Sequence, residues 1–238
     1  MKYPSMRVLS AASLLLTAAA VVACRSNPPL HVVVDPSLAR GDAYEVSGFT
    51  SRHWGEPLRF GGFTTRKTSA GATWTWSAAA FDFGGGVRTQ PYRFVFVGEQ
   101  GEEWQVECRA KTPILRHTYE NGSVELPVGE TRLSCALRDP SSAVHTLTLA
   151  GDAVDFRGVA AVGDPPLEIR PLHDVPDSAG DAHRIPGVLG YELRQGDRVL
   201  GSVDLLGRGR VYLASGLPSE LRTATAMTAA VLLLFGNA

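Results

Sequence analysis

Apolar and polar positions alternate with a period of two along most of this chain, the pattern of strands buried on one face. From Ala72 to Phe83, Trp74, Trp76, Ala78 and Ala80 share one face while Thr73, Thr75 and Ser77 share the other. Phe81 and Phe83 break that phase, which predicts a bulge or a strand covered on both sides, and Gly84-Gly85-Gly86 predicts a turn. Tyr92 to Val97 and Trp104 to Ala110 predict a hairpin through Glu99-Gln100-Gly101-Glu102, with Trp104, Val106, Cys108 and Ala110 on one side and Gln105, Glu107 and Arg109 on the other. Arg132 to Arg138 repeats the theme with Leu133, Cys135 and Leu137. Gly190 to Leu205 predicts a second hairpin, turning at Gln195-Gly196-Asp197. Leu30 to Val34, Tyr44 to Phe49, Leu58 to Thr65, Val144 to Leu149, Val154 to Val162 and Arg210 to Ala214 complete the predicted strands, and Leu172 to Pro186 is expected to be a long polar loop.

The last element differs in kind. Pro218 precedes and Gly236 follows Ser219 to Phe235, and Glu220 stands in the first turn, which are start and stop signals for a helix. Ala224 to Phe235 carries no charge and is apolar nearly all round, so this helix needs protein or lipid on every side. Its 12 uncharged residues fall short of the roughly 20 that cross a bilayer, and a buried core helix is expected. The fold class predicted is mainly β: a closed antiparallel barrel around the hydrophobic C-terminal helix, with a β-sandwich carrying a packed C-terminal helix as the alternative.

The first residues stand apart from this pattern. Lys2 and Arg7 precede an apolar run from Val8 to Ala23, relieved by Ser10, Ser13 and Thr17, that ends in Val21-Val22-Ala23-Cys24. This resembles a bacterial lipoprotein signal peptide closing in a lipobox. The resemblance implies that residues 1–23 are removed, that Cys24 becomes the lipid-bearing first residue, and that 24–29 form a short tether ahead of a single domain, 30–238. Membrane attachment through the lipid on Cys24 places the protein in the cell envelope. Arg25 in place of Asp after the cysteine implies the outer membrane, facing the periplasm, in an organism with two.

Removing 23 residues leaves 215, a length suited to one large β domain. Without the two basic residues of the leader, 21 Lys and Arg stand against 24 Asp and Glu, and a net charge near −3 gives no electrostatic reason to expect nucleic acid. With Cys24 assigned to lipid, Cys108 and Cys135 remain as an even pair in an oxidising compartment, and both lie on the apolar face of their strands, so a disulfide is expected between them.

The end of the chain carries a second likeness. Tyr191-Glu192-Leu193-Arg194-Gln195-Gly196-Asp197-Arg198-Val199-Leu200-Gly201-Ser202-Val203, then Arg210-Val211-Tyr212-Leu213, then the Ala- and Leu-rich helix resemble the tubby-like barrel superfamily of tubby, phospholipid scramblase and LURP-one-related proteins. That family wraps a closed antiparallel barrel around a C-terminal apolar helix. No Lys/Arg pair of this sequence matches the family's phosphoinositide site.

Candidate chemistry is sparse. His173, Asp174, Asp177, Asp181 and His183 lie within 11 residues of the polar loop and could gather around a divalent ion, although their order lacks the alternation of a calcium loop. No H-E-x-x-H, G-x-S-x-G or S-x-x-K occurs, so no catalytic residue is assigned and no cofactor is expected. Glu102-Glu103 sits at a hairpin turn, where exposure suits it poorly to general acid work. Trp54, Trp74, Trp76 and Trp104 could stack on sugar rings, but alternation favours the core for the last three. The expectation is a lipid-anchored, non-enzymatic binding or structural module, possible envelope proteins being its partners. A carrier of a lipid or apolar ligand and an enzyme whose site is assembled from distant residues are the alternatives.

Overall fold

The computed structural model describes residues 30–48, 56–80, 83–120, 122–177 and 180–236. A 3-10 helix, Pro36–Arg40, comes first, with Asp35 capping it through a 2.8 Å bond from the Ser37 N–H. The strands then run β1 (Asp42–Glu45), β2 (Arg59–Phe60), β3 (Phe63–Ala70), β4 (Trp74–Ala80), β5 (Phe83–Val97), β6 (Glu103–Tyr119), β7 (Gly122–Pro127), β8 (Thr131–Arg138), β9 (Val144–Gly151), β10 (Phe156–Ala160) and β11 (Leu167–Leu172). They continue as β12 (Asp174–Pro176), β13 (Ala182–Arg184), β14 (Gly190–Gln195), β15 (Arg198–Asp204) and β16 (Arg210–Leu213), and helix α1 (Ser219–Gly236) ends the chain.

One antiparallel sheet dominates. Its path β1-β16-β15-β14-β11-β10-β9-β8-β6-β5-β3-β2 curls until its ends meet, where Ser47, beyond β1, exchanges N–H···O bonds of 2.9 and 3.0 Å with Arg59 of β2. Closing the ring removes the free edges that an open sheet would expose. Inside it lies α1. Ala226, Met227, Ala229, Ala230, Val231, Leu232 and Leu233 are each 0 % exposed. The helix meets the wall on all sides: Phe235 stacks on Phe156 with ring centroids 5.1 Å apart, and the Tyr92 hydroxyl donates to the Val231 carbonyl at 3.4 Å. Against β15 the fit requires glycine, since a Cβ at Gly201 would stand 2.9 Å from Thr225 Cγ2.

The predicted architecture is therefore present, a barrel filled by its own C-terminal helix. Cys108 and Cys135 are directly opposed on β6 and β8 with Cα atoms 4.0 Å apart, and they form the expected disulfide. Among the described residues no helix is long and apolar enough to cross a membrane.

Other expectations change. Gly84-Gly85-Gly86 is no turn but lies within β5, which pairs β4 up to Phe83 and Ala80. Residues 81–82, between the two strands, lie outside the described residues. Gly61-Gly62 separates two paired strands, β2 and β3, and Gly61 takes the positive φ of 55° that such a tight turn demands. Leu30 to Val34 is extended but joins no sheet. The presumed loop Leu172 to Pro186 contains the β12–β13 hairpin, and β11 and β7 were not predicted.

Candidate functional site

The ladder between β5 and β6 continues for seven further pairs beyond Ala110 and Gln90, up to His117 and Phe83 at its tip, well past the point where the neighbouring walls end. β3 and β8 pair only the lower parts of these two strands, whereas β4 and β7 pair their upper parts. The result is a four-stranded crest, β4-β5-β6-β7, standing on one end of the barrel. This upper end also holds the C-terminus of α1; the lower end holds its N-terminus, where Arg222 bonds Asp42, Tyr44 and Glu99.

Residues opposed in a ladder share a face, so the register assigns each side chain of the crest. Cys108 and Ala110 line the bore, which makes Thr112, Ile114 and Arg116 the continuation of the inner face. That side is polar away from Ile114: Arg116 forms an ion pair with Glu125 of β7. The outer side is apolar. Trp76 opposes Val87, which opposes Pro113; Ala78 opposes Gly85, Leu115 and Leu126 in turn; Val124 opposes His117. Trp76 is 67 % exposed, Trp74 59 %, Leu126 55 % and Tyr119 51 %.

Trp74 and Trp76 thus depart from the expected core position. Alternation tells which residues share a face, and the inference to an inward face holds only where a core lies beneath it. On the crest the face that Trp74 and Trp76 share is the outer one, in register with Lys111 and Val87. Trp104, on the barrel proper, is half-buried against the core as expected. Trp54 lies outside the described residues.

Below the apolar rows the outer face turns cationic. Lys111 opposes Arg132, Arg109 opposes Ser134 and Pro91, and Arg93 opposes Glu107. These residues border a shallow groove of about 990 Å³ across β5, β6 and β8. Arg93 Nε donates to Ser69 Oγ at 3.2 Å and Arg132 reaches Glu130 at 3.1 Å, both near solvent.

A second concavity, about 440 Å³, lies at the barrel mouth, floored by Phe235 and Tyr191 and bordered by Arg88, Thr112 and Asp152. Burial pushes the Tyr191 phenol well above its usual range, so it stays a neutral donor there.

The five residues offered for a metal do not converge. In the β12–β13 hairpin Asp174 opposes Arg184 while His183 opposes Val175, so the carboxylate and the imidazole point to opposite faces. His173 spends its Nδ1 on the Gly187 carbonyl at 2.7 Å, and Asp177 accepts from the Asp181 N–H at 3.0 Å. Among the described residues no group of three His, Cys, Asp or Glu is placed to hold a metal ion. Cys24 lies outside the described residues.

Two features escaped the sequence reading. The apolar residues of β7 had a signal, since Asn121-Gly122 followed by Val124, Leu126 and Val128 in alternation is a hairpin pattern. Asp204 had none. It is fully buried on the outside of β15, where it accepts from His31 Nδ1 at 3.0 Å and from the Val32 N–H at 3.3 Å, pinning the segment that leads into the barrel. That segment begins at the upper end, since Asp204 opposes Gly190 there, and descends past β15 to the 3-10 helix.

Comparison with protein-family models, with curated proteins and with solved structures finds no match to this chain.

Proposed function

We propose that this protein is a lipid-anchored module of the cell envelope, held by Cys24 and acting by surface recognition rather than catalysis. The observation that carries the second half is the filled bore. A barrel of this size could hold an apolar ligand, but α1 occupies the space with side chains that are almost wholly buried. This disfavours the carrier reading and leaves recognition to the outside. There the upper end stands out, with an apolar crest above a cationic groove.

The anchor fits the geometry of that end. Five residues separate Cys24 from Leu30, and the clamp on Asp204 fixes the chain immediately afterwards. A tether of this length spans about 20 Å at most, so a lipid on Cys24 keeps the upper rim beside the bilayer. Metabolic labelling with a clickable fatty acid tests the anchor: wild type is expected to take the label and Cys24→Ala to lose it. Equal labelling of the two would exclude Cys24 as the acceptor and overturn the proposal.

A further inference from the structure

The outer face of the crest is too apolar to be a solvated surface. Trp74, Trp76, Val87, Leu115, Tyr119, Val124, Leu126 and Val128 all belong to it, each between 37 and 67 % exposed, and Val128 prolongs the Trp76 row through its N–H bond to Pro113 O at 2.9 Å. Among the described residues the register leaves no Asp, Glu, Lys or Arg in the rows above Lys111 on this face. A contiguous apolar patch of this kind marks an interaction site.

Three observations select its occupant. Trp and Tyr side by side with aliphatic residues are the composition of the membrane–water interface, where an amphipathic ring keeps one edge in water. Arg93, Arg109, Lys111 and Arg132 form the next rows of the same face, four cations against the carboxylates of Glu107 and Glu130; this band suits phosphate headgroups beside an apolar layer. Third, the segment carrying Cys24, which lies outside the described residues, leads into the barrel at Leu30, at the same end as the crest although on the opposite wall.

We infer that the outer face of the crest is a membrane-contacting surface, which enters the interface of an anionic bilayer with its Trp, Tyr and Leu side chains while Arg109, Lys111 and Arg132 meet the headgroups. The inference rests on the Cys24 anchor for its orientation: with lipid at one side of the upper rim and crest at the other, the barrel stands end-on with its tilt fixed by two separated contacts. The patch itself is independent of the anchor. Binding is reversible and adds to the single anchor, as a second signal commonly must for stable attachment.

The test uses the chain from residue 24 with Cys24→Ser, which carries no lipid and contains the whole ring of strands with its helix. Co-flotation with vesicles of phosphatidylcholine containing phosphatidylglycerol is expected, weaker with phosphatidylcholine alone, and accompanied by a blue shift of tryptophan emission. Trp74→Ala/Trp76→Ala, which removes only exposed rings, is expected to weaken flotation at least about tenfold and abolish the shift while leaving circular dichroism unchanged. Arg109→Glu/Lys111→Glu is expected to weaken it at low salt and to erase its salt dependence. Absence of flotation, or flotation untouched by the double Trp variant, overturns the inference. So does sedimentation showing a dimer that the Trp variant dissolves, which would assign the face to a second copy. Failure of fatty-acid labelling at Cys24 would leave these results standing and refute only the anchor.

Discussion

A single carboxylate holds the entry to this fold. Asp204 is 0 % exposed and accepts from the Leu206 N–H at 2.8 Å as well as from His31 and Val32, so the turn after β15 and the N-terminal segment hang on the same two oxygens. A buried carboxylate is tolerated only with such partners. Asp204→Ala leaves buried donors without an acceptor and is expected to cost about 2 to 4 kcal/mol. Limited proteolysis is expected to cut the variant near 30–34 before the barrel. Urea denaturation of Asp204→Ala that matches wild type would refute the clamp. Two phenols set a different limit. Burial raises the Tyr92 and Tyr191 hydroxyls above their ordinary value of 10.0. In the unfolded chain they ionise near pH 10 while in the folded chain they keep their protons, so the native state binds more protons above that pH. Their contribution is complete below about pH 10 and is lost as pH rises beyond it, by about 1.4 kcal/mol per pH unit for each phenol. Denaturation midpoints at pH 8, 10 and 11 check this, and Tyr92→Phe/Tyr191→Phe is expected to flatten the alkaline decline.

Among the elements, the junction at the lower end depends on Arg222. Its guanidinium donates to Asp42 Oδ2 at 2.8 Å, Tyr44 Oη at 2.7 Å and Glu99 Oε2 at 3.0 Å, joining the first turns of α1 to β1 and to the β5–β6 connection. A cation near a helix N-terminus is opposed by the helix dipole, and the carboxylates of Asp42 and Glu99 offset that. Arg222→Ala is expected to lower stability by about 1 to 3 kcal/mol. Arg222→Lys is expected to recover less than half, because one ammonium cannot span three acceptors on separate elements; full recovery in thermal melts would show that charge alone suffices. None of this was legible in the sequence, since the partners lie up to 180 residues apart. Alternation of period two did identify β5, β6, β8 and β14, because each has one face against a core. It also placed Cys108 and Cys135 on inward faces, and the count of cysteines left after Cys24 paired them, as the bond between them shows. Where that premise fails, so does the reading: on the crest the same alternation pointed Trp74 and Trp76 inward, and β15, covered inside by α1 and outside by the N-terminal segment, shows burial at every position after Arg198.

For the molecule as a whole, α1 is the core rather than an addition to it. Twelve strands around a void would enclose unfilled apolar surface, and a helix apolar on all sides has no stable place in water; each supplies the environment the other lacks. The disulfide between β6 and β8 closes a loop of sequence separation 27 and contributes about 3 to 4 kcal/mol, but it lies on one wall and cannot replace the centre. Leu233 is 0 % exposed and near the end of the helix. Leu233→Asp deletes its apolar contacts and buries a carboxylate with no partner, a cost beyond about 5 kcal/mol, against a total stability that for domains is on the order of 5 to 15 kcal/mol. The expected outcome is loss of the folded state, seen as collapse of the cooperative urea transition and of near-ultraviolet circular dichroism. Val159→Asp, at an outward position 43 % exposed on β10, is expected to keep both. Were α1 a membrane element instead, Leu233→Asp would release a folded, soluble protein with a native transition. Recovery of such a protein would refute the core assignment of the helix.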